Sequence, residues 1–295
     1  MRIDEIRDFL RKTGHLTIKP KESKQEKAEK FSLAVERYRH YFGLPQNNTQ
    51  RIIDAPLLRT FHEPRICGVP DIQPYTKKGY RGELCRWPRG HTITWTIKDP
   101  LPNFSHRDQL DIIQRAFSDW TAASSGLKSI YTSNARTANI YFTIMRERPG
   151  QVLADMQIPC SSTSRSRMQG RIDTEENWDV YSYSDSTEPR KVSLLTVLEH
   201  ELGHALGIFH IEPRRGTALL NPTYSNRVPT ITDLDREELL KRYPGVPSEP
   251  PRTGGEENHT VGIHTRVWID GEIYQMKGLG KKIRADRSVQ MWETP

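Results

Sequence analysis

Three observations predict the architecture: an all-α N-terminal region, then an α/β domain, then a short β-hairpin tail. A helical apolar stripe runs through the first 70 residues, a strand–helix–strand succession begins at His91, and an Asp-Gly pair divides two apolar runs near the C-terminus. In the stripe, Phe31, Ala34, Val35, Tyr38 and Phe42 fall at helical spacing and end at Gly43. Ile3, Ile6, Phe9 and Leu10 outline an earlier helix. Between the two, the lysine- and glutamate-rich run Lys19–Lys30 reads as a solvated linker open to proteases. A third helix starts at Asp54 as N-cap, with Leu57, Leu58 and Phe61 on one face. The proline- and glycine-bearing stretch PRICGVPD, residues 64–71, follows as a loop with a lone cysteine.

From His91 the pattern changes. HTITWTIKDP alternates as a strand does, and Leu110, Ile113, Ala116, Phe117 and Trp120 then return to helical spacing. ANIYFTIM and QVLADMQIP are two further strands. PGVPSEPPRTGGEE has the composition of a linker, and TRVWIDGEIYQM that of a hairpin turning at Asp270-Gly271. The expected limits are 1–89 for the helical region, 90–245 for the α/β domain, 246–260 for the linker and 261–295 for the tail.

Composition narrows the function classes. A hydrophobic fraction of 35% leaves room for a core with solvated segments beside it. The net charge of +7 arises from 44 basic and 37 acidic residues mixed along the chain, so a mild surface excess outweighs a dedicated polyanion site and no nucleic-acid partner is expected. No run approaches the roughly 18 apolar residues of a membrane span. The N-terminus MRIDEIRDFLRKTGHL is charged throughout, unlike a signal peptide. Three Asn-x-Ser/Thr sequons, at Asn47, Asn103 and Asn258, would be glycan acceptors in a secreted protein.

The strongest chemical signal is HELGHALGIFH, residues 200–210. Residues four apart on a helix lie nearly above each other, so His200 and His204 project from one face. Leu195, Leu198, Leu202 and Leu206 take the other side. Gly207 can stop the helix in the left-handed conformation, and the returning chain then delivers His210 to the same point. Three imidazoles with one open position are the donor set of catalytic rather than structural zinc, which brings the pKa of water down to about 7. Glu201, about 100° round the helix from His200, is placed to move protons between water and a leaving amine.

HELGHALGIFH resembles the zinc signature of the metzincin metalloproteases, and PRICGVPD resembles the cysteine switch of the matrix metalloproteinases among them. AVERYRHYFGL and DAPLLRTF are similar to the propeptide helices of that family, VLADMQIP to its edge strand, and 231–243 to its last catalytic helix. The resemblance spans about Ile3 to Tyr243. It implies a three-helix propeptide and a metzincin-like catalytic domain with a twisted, mainly parallel sheet. It implies a secreted zinc endopeptidase made as a latent zymogen, acting on extracellular matrix proteins and other peptides, open to inhibition by protein metalloprotease inhibitors, and monomeric. Cys67 would fill the fourth zinc position in the latent form, with Arg65 and Asp71 latching the loop. Leu153 and Ala154 would contact an extended substrate, and Pro222 and Tyr224 would wall the pocket for the side chain after the scissile bond.

Some positions depart from the family pattern. Ile66 is an extra residue between Arg65 and Cys67, expected to alter the arginine's contact. Leu220 stands where the family has a methionine beneath the zinc, a nearly isosteric exchange. Asp155 and Arg171 occupy positions of histidines that hold a second, structural zinc in the family, so that ion is not expected here. Asp173 and Glu176 match calcium ligands, with Asn139 as a candidate third oxygen; the alternative is an acidic solvated loop. Cys85 and Cys160 are left open between a disulfide and two free thiols. The rival functional reading is a catalytically silent zinc-binding or inhibitory protein that keeps its propeptide.

Overall fold

The computed structural model describes residues 2–45, 53–63, 65–72, 85–88, 90–124, 126–147, 152–159, 167–180, 191–224 and 230–244, and the backbone of 263–269 and 272–278. Asn47, Cys160, the expected linker 246–260, Asn258 and the Asp270-Gly271 turn lie outside these residues. The chain divides into two compact units, 1–246 and 247–295.

The first unit begins with helices α1 (Ile3–Lys12), α2 (Lys24–Tyr41) and α3 (Ala55–His62). Ile6, Leu10, Phe31, Val35, Tyr38, Leu57 and Phe61 form their shared core. Helix α2 starts earlier than its apolar stripe. The Ser23 hydroxyl accepts from Glu26 N at 3.2 Å while the Glu26 carboxylate accepts from Ser23 N at 2.7 Å, a reciprocal cap that satisfies two otherwise unpaired amides. Residues 24–30 are therefore the first two turns of α2, and the expected linker shrinks to the residues before Ser23. Asp54 caps α3 through Leu57 N at 3.1 Å and pairs with Arg39 of α2 at 2.8 Å.

A six-stranded sheet follows, in the order β1-β5-β6-β4-β2-β3. Its strands are β1 (Arg65–Cys67), β2 (Thr92–Ile97), β3 (Lys128–Tyr131), β4 (Ile140–Met145), β5 (Val152–Met156) and β6 (Met168–Asp173). All neighbours are parallel except β5 and β6. Strand β1 corrects the expectation of a loop at PRICGVPD. Its three residues lie along β5, so edge pairing overrides the local proline and glycine signals. Strand β6 carries Gln169, Gly170 and Arg171, too polar to read as a strand, and is held by a partner on each side.

Helices α4 (His106–Ala122) and α5 (Leu194–Ala205) pack with the sheet around Trp95, Phe117, Trp120, Phe142, Leu198 and Leu202. Trp87 enters the same core and donates its indole N–H to the Ala205 carbonyl at 2.9 Å, which ties residues 85–88 to the sheet domain ahead of the boundary expected at 89. A two-residue pair, β7 (Trp178–Asp179) with β8 (Val192–Ser193), leads into α5, and α6 (Asp233–Arg242) closes the unit. In the second unit, β9 (Ile263–Ile269) and β10 (Glu272–Gly278) form an antiparallel hairpin.

Candidate metal centre

Helix α5 is buried along its whole length. Ser193 caps it through Thr196 N at 3.2 Å. Its interior position demands close packing on the side away from the histidines, and Gly203 meets that demand. A Cβ there would stand 2.9 Å from Leu220 and from Trp120. Leu220 thus fills the space beneath the helix that the family gives to methionine. Gly207, at φ 89°, ends the helix with the Cys85 carbonyl packed where a Cβ would be. The chain then returns with His210.

Each ring is held by its Nδ1. His200 donates to the Leu219 carbonyl and His204 to the Ile208 carbonyl, both at 2.7 Å, and His210 donates to Asp71 Oδ1 at 3.1 Å. Because carbonyls only accept, the first two rings carry their proton on Nδ1 and turn the Nε2 lone pair inward. The Nε2 atoms of His200 and His204 are 3.1 Å apart, and Cys67 Sγ lies 3.0 Å from His210 Nε2 and 3.4 Å from His204 Nε2. All four donor atoms fall within 4.8 Å of one another and are buried. Ligands held tetrahedrally around one zinc stand about 3.3–3.6 Å apart, near the three shorter separations of 3.0, 3.1 and 3.4 Å. Three inward Nε2 lone pairs and a sulfur meet there, more acceptors than the single thiol proton can satisfy, an arrangement that fits a cation. Burial, and then the neighbouring imidazoles (His204 and His210 for His200, His210 for His204), hold His200 and His204 well below the ordinary histidine range, in the neutral form a metal needs.

Cys67 is fully buried, and Val69 N donates to its sulfur at 3.3 Å. Burial and the neighbouring Glu201 push its thiol well up; a dication among the same atoms reverses that balance in favour of thiolate. Glu201 is 1% exposed, and neither carboxylate oxygen has a partner among the described residues. Burial, with Asp155 adding, pushes its carboxyl well above the ordinary range.

Asp71 connects the switch to the metal ligands. Its carboxylate meets Arg65 Nη2 at 2.5 Å and Arg65 Nη1 at 3.2 Å, and it accepts from His210 and, at 3.3 Å, from His15 Nε2. Burial opposes ionisation here, yet Arg65 and the two histidines hold the carboxyl well below its usual range. Ile66 therefore leaves the arginine's contact with Asp71 intact. In an extended strand alternate residues share a face, so Arg65 and Cys67 point one way and Ile66 the other.

Leu153, Ala154, Pro222 and Tyr224 border the groove in which β1 lies. Cys67 is in register with Ala154, whose carbonyl accepts from Gly68 N at 3.1 Å. On the other side the Pro222 carbonyl accepts from Ile66 N at 3.1 Å, and Arg65 bridges Thr223. Tyr224 is fixed by Ser193 N, which donates to its hydroxyl at 2.8 Å.

Asp173 and Glu176 share one turn. Asp173 Oδ1 accepts from Glu147 N at 2.9 Å and Glu175 N at 3.2 Å, while Oδ2 is buried without a partner among the described residues. Asn139 does not join them. It precedes Ile140, which pairs with Met168, whereas Asp173 pairs with Met145. Five residues of strand separate the two ends by about 17 Å, too far for one ion. Asn139 Oδ1 instead accepts from Thr94 N and Thr94 Oγ1 at 3.0 and 3.1 Å, with His91 Nε2 at 3.0 Å. Asp155 and Arg171 face each other across β5 and β6 in a two-point ion pair, with Arg171 Nε 2.9 Å from Asp155 Oδ1. Cys85 is disulfide-bonded, and Cys67 keeps a free thiol.

Sequence reasoning missed His15 and Asp235. Asp235, buried at the start of α6, accepts from Leu219 N at 2.9 Å and Leu220 N at 3.0 Å, so it fixes the carbonyl that orients His200. A Thr-x-x-Asp cap at Thr232 was legible, but its reach under the metal was not.

Comparison with known proteins agrees with this geometry. The hatching enzyme of Paracentrotus lividus is 25% identical over 217 residues, covering 71% of this chain and 33% of the relative. Matrix metalloproteinase-27 of Tupaia belangeri is 26% identical, covering 73% of this chain and 40% of its own. Matrix metalloproteinase-19 of Homo sapiens is 27% identical, covering 82% and 50%. The chain thus spans between a third and half of the length of these relatives. The matrixin family model matches residues 86–243, the sheet domain with its buried histidine triad, and the chain belongs to the matrixin family.

Proposed function

We propose that this chain is a secreted zinc endopeptidase held latent by its own N-terminal helices, cutting extracellular matrix proteins and similar peptides. The observation that carries the reading is the convergence of Cys67 Sγ with the Nε2 atoms of His200, His204 and His210 in one buried cluster. Zinc bound there would supply Lewis acidity to a carbonyl and make water a nucleophile near neutral pH. The protein's residues do the rest. Glu201, once β1 leaves and water enters, takes a proton from the attacking water and gives it to the departing amine. Leu153 and Ala154 on one side and Pro222 and Tyr224 on the other hold an extended peptide through backbone pairing, as they hold β1.

In the latent state Cys67 is the fourth ligand, and Arg65 and Asp71 lock its strand. The propeptide on this reading runs through residue 72 and ends before Cys85, because residues 85–88 pack with the sheet domain. The disulfide at Cys85 supports an oxidising, extracellular setting. Asp173 and Glu176 are proposed to bind calcium, supported by the orphan buried Oδ2 of Asp173. Protein metalloprotease inhibitors are the expected partners, acting on a monomer.

The test is to cut the chain after Asp71 and assay a quenched peptide with and without a chelator, beside Glu201→Ala. Chelator-sensitive cleavage that the variant loses is expected. Equal activity in the variant, or none in a cut chain that contains zinc, would overturn the reading.

A further inference from the structure

The three imidazoles take their orienting acceptors from two different places. His200 and His204 donate from Nδ1 to the Leu219 and Ile208 carbonyls, which belong to the sheet domain and stay with it after cutting. His210 donates instead to Asp71 Oδ1, and Asp71 lies on the N-terminal side of the proposed cut. One metal ligand of three is thus oriented by the propeptide. Asp71 is in turn built into the helical region. Its backbone N–H and that of Ile72 donate to the Thr13 carbonyl at 3.0 and 3.2 Å. Gly14, at φ 81°, lets this turn close on the chain, because a Cβ there would run into the Ile72 carbonyl.

His15 completes the connection. Its side chain is fully buried, with the Tyr38 and Tyr41 rings of α2 edge-on at 4.9 and 5.3 Å. Its Nε2 donates to Asp71 Oδ2 at 3.3 Å, so two imidazoles, one of the propeptide and one of the metal cluster, hold the two oxygens of a single carboxylate. The other ring nitrogen, Nδ1, is buried without a partner among the described residues. A phenylalanine would fill this aromatic setting without leaving a polar atom unpaired, so packing alone does not require histidine. We propose that His15 and Asp71 are positioning residues of the metal centre, a support that the propeptide supplies to His210 and withdraws when it leaves. The propeptide then acts twice in the uncut chain: Cys67 closes the open position, and the His15–Asp71 pair strengthens the hold on the ion without any help from sulfur. The inference rests on the zymogen reading above, since it treats the residues through Asp71 as removable. A carboxylate behind a metal-binding histidine fixes its tautomer and raises its basicity, and losing such a partner lowers metal affinity about 10–100-fold. Cutting therefore weakens zinc binding by more than the loss of sulfur accounts for.

The test measures equilibrium zinc affinity by competition with a chromophoric chelator. All uncut chains carry Cys67→Ala, so that no sulfur contributes, and thermal melts serve as the folding control. Cutting the Cys67→Ala chain after Asp71 and removing the propeptide is expected to weaken zinc binding about ten-fold or more. In the uncut Cys67→Ala chain, His15→Phe keeps the aromatic packing but drops the donor, and is expected to weaken zinc binding several-fold. His15→Gln keeps a donor and is expected to recover most of that loss. Equal affinity before and after cutting would overturn the proposal. No loss in His15→Phe, or an equal loss in His15→Phe and His15→Gln, would remove His15 from it and leave that residue a packing role. The comparison across the cut needs neither His15 variant, so it decides the proposal even where one of them misfolds. Zinc affinity is read without any peptide substrate. Weakened binding after cutting, in a chain that cleaves no peptide, would sink the endopeptidase reading and keep this one, while cleavage with unchanged affinity sinks only the support from the propeptide.

Discussion

Two places near one edge of the sheet hold charged or ligating groups, and they are built in opposite ways. At the end of α5, three imidazoles and a thiol are fully withdrawn from water, each ring oriented by an acceptor behind it. On β5 and β6, Asp155 and Arg171 face each other in a pair that is partly open to solvent. The first place turns three lone pairs inward with only the Cys67 thiol proton to share among them, a deficit that a cation would remove. The second satisfies itself, since each charge has its counter-charge directly opposite. Family resemblance puts metal-binding histidines at both; at the second this chain carries Asp155 and Arg171, which pair with each other. A site's need for metal is read from donors left unpaired, not from its place in the fold.

The sharpest way to break this contrast is at the first place. His204→Ala is expected to abolish zinc retention and lower activity of the cut chain by at least about 10³-fold, checked by metal analysis and peptide assay. Normal zinc content in that variant would show that the cluster is not the binding site. Asp71→Asn comes next. It leaves Arg65 buried without its counter-ion, a change that costs about 3–5 kcal/mol in comparable pairs, and it removes the acceptor that orients His210. The uncut chain should then gain peptidase activity. The sign of the pH effect follows from the depressed carboxyl. Its contribution is present above the unfolded value of about 3.9 and is lost as pH falls through the folded one. The uncut chain should therefore still be silent at pH 5, which an assay at that pH can check.

At the second place the effects should be small. A double-mutant cycle on Asp155→Ala and Arg171→Ala is expected to give a coupling of about 0.5–1 kcal/mol by denaturant unfolding, because the pair is partly screened by water. Zinc content should not change. A loss of metal in either variant would mean that the pair serves the metal centre after all.

How much of this was legible in the sequence differs between the same two regions. The histidine triad was readable because spacing of four on a helix and a stopping glycine are local facts. Cys67 could be assigned only through resemblance, since no spacing connects it to a helix over 130 residues away. The strand state of Arg65–Cys67, the reach of His15 to Asp71 and the support of Asp235 under His200 arise from tertiary pairing, which leaves no periodic trace. Helix α2 was misjudged at Lys24–Lys30 because its exposed first turns are polar, although the Ser23-x-x-Glu26 cap was there to read. Asn139 as a candidate third calcium oxygen fails on register, because the parallel pairing of β4 and β6 places it at the far end of the strand from Asp173.

The central claim is that one zinc is held by three imidazoles and closed off by Cys67 until the propeptide is cut. X-ray absorption at the zinc edge, with metal counted per chain, tests it most directly. The account predicts one zinc per chain with three nitrogen ligands and one sulfur before cutting. After cutting past Asp71 and removal of the propeptide, it predicts three nitrogens and one oxygen. A zinc without sulfur in the uncut chain, or a sulfur that stays after the propeptide is gone, would contradict it.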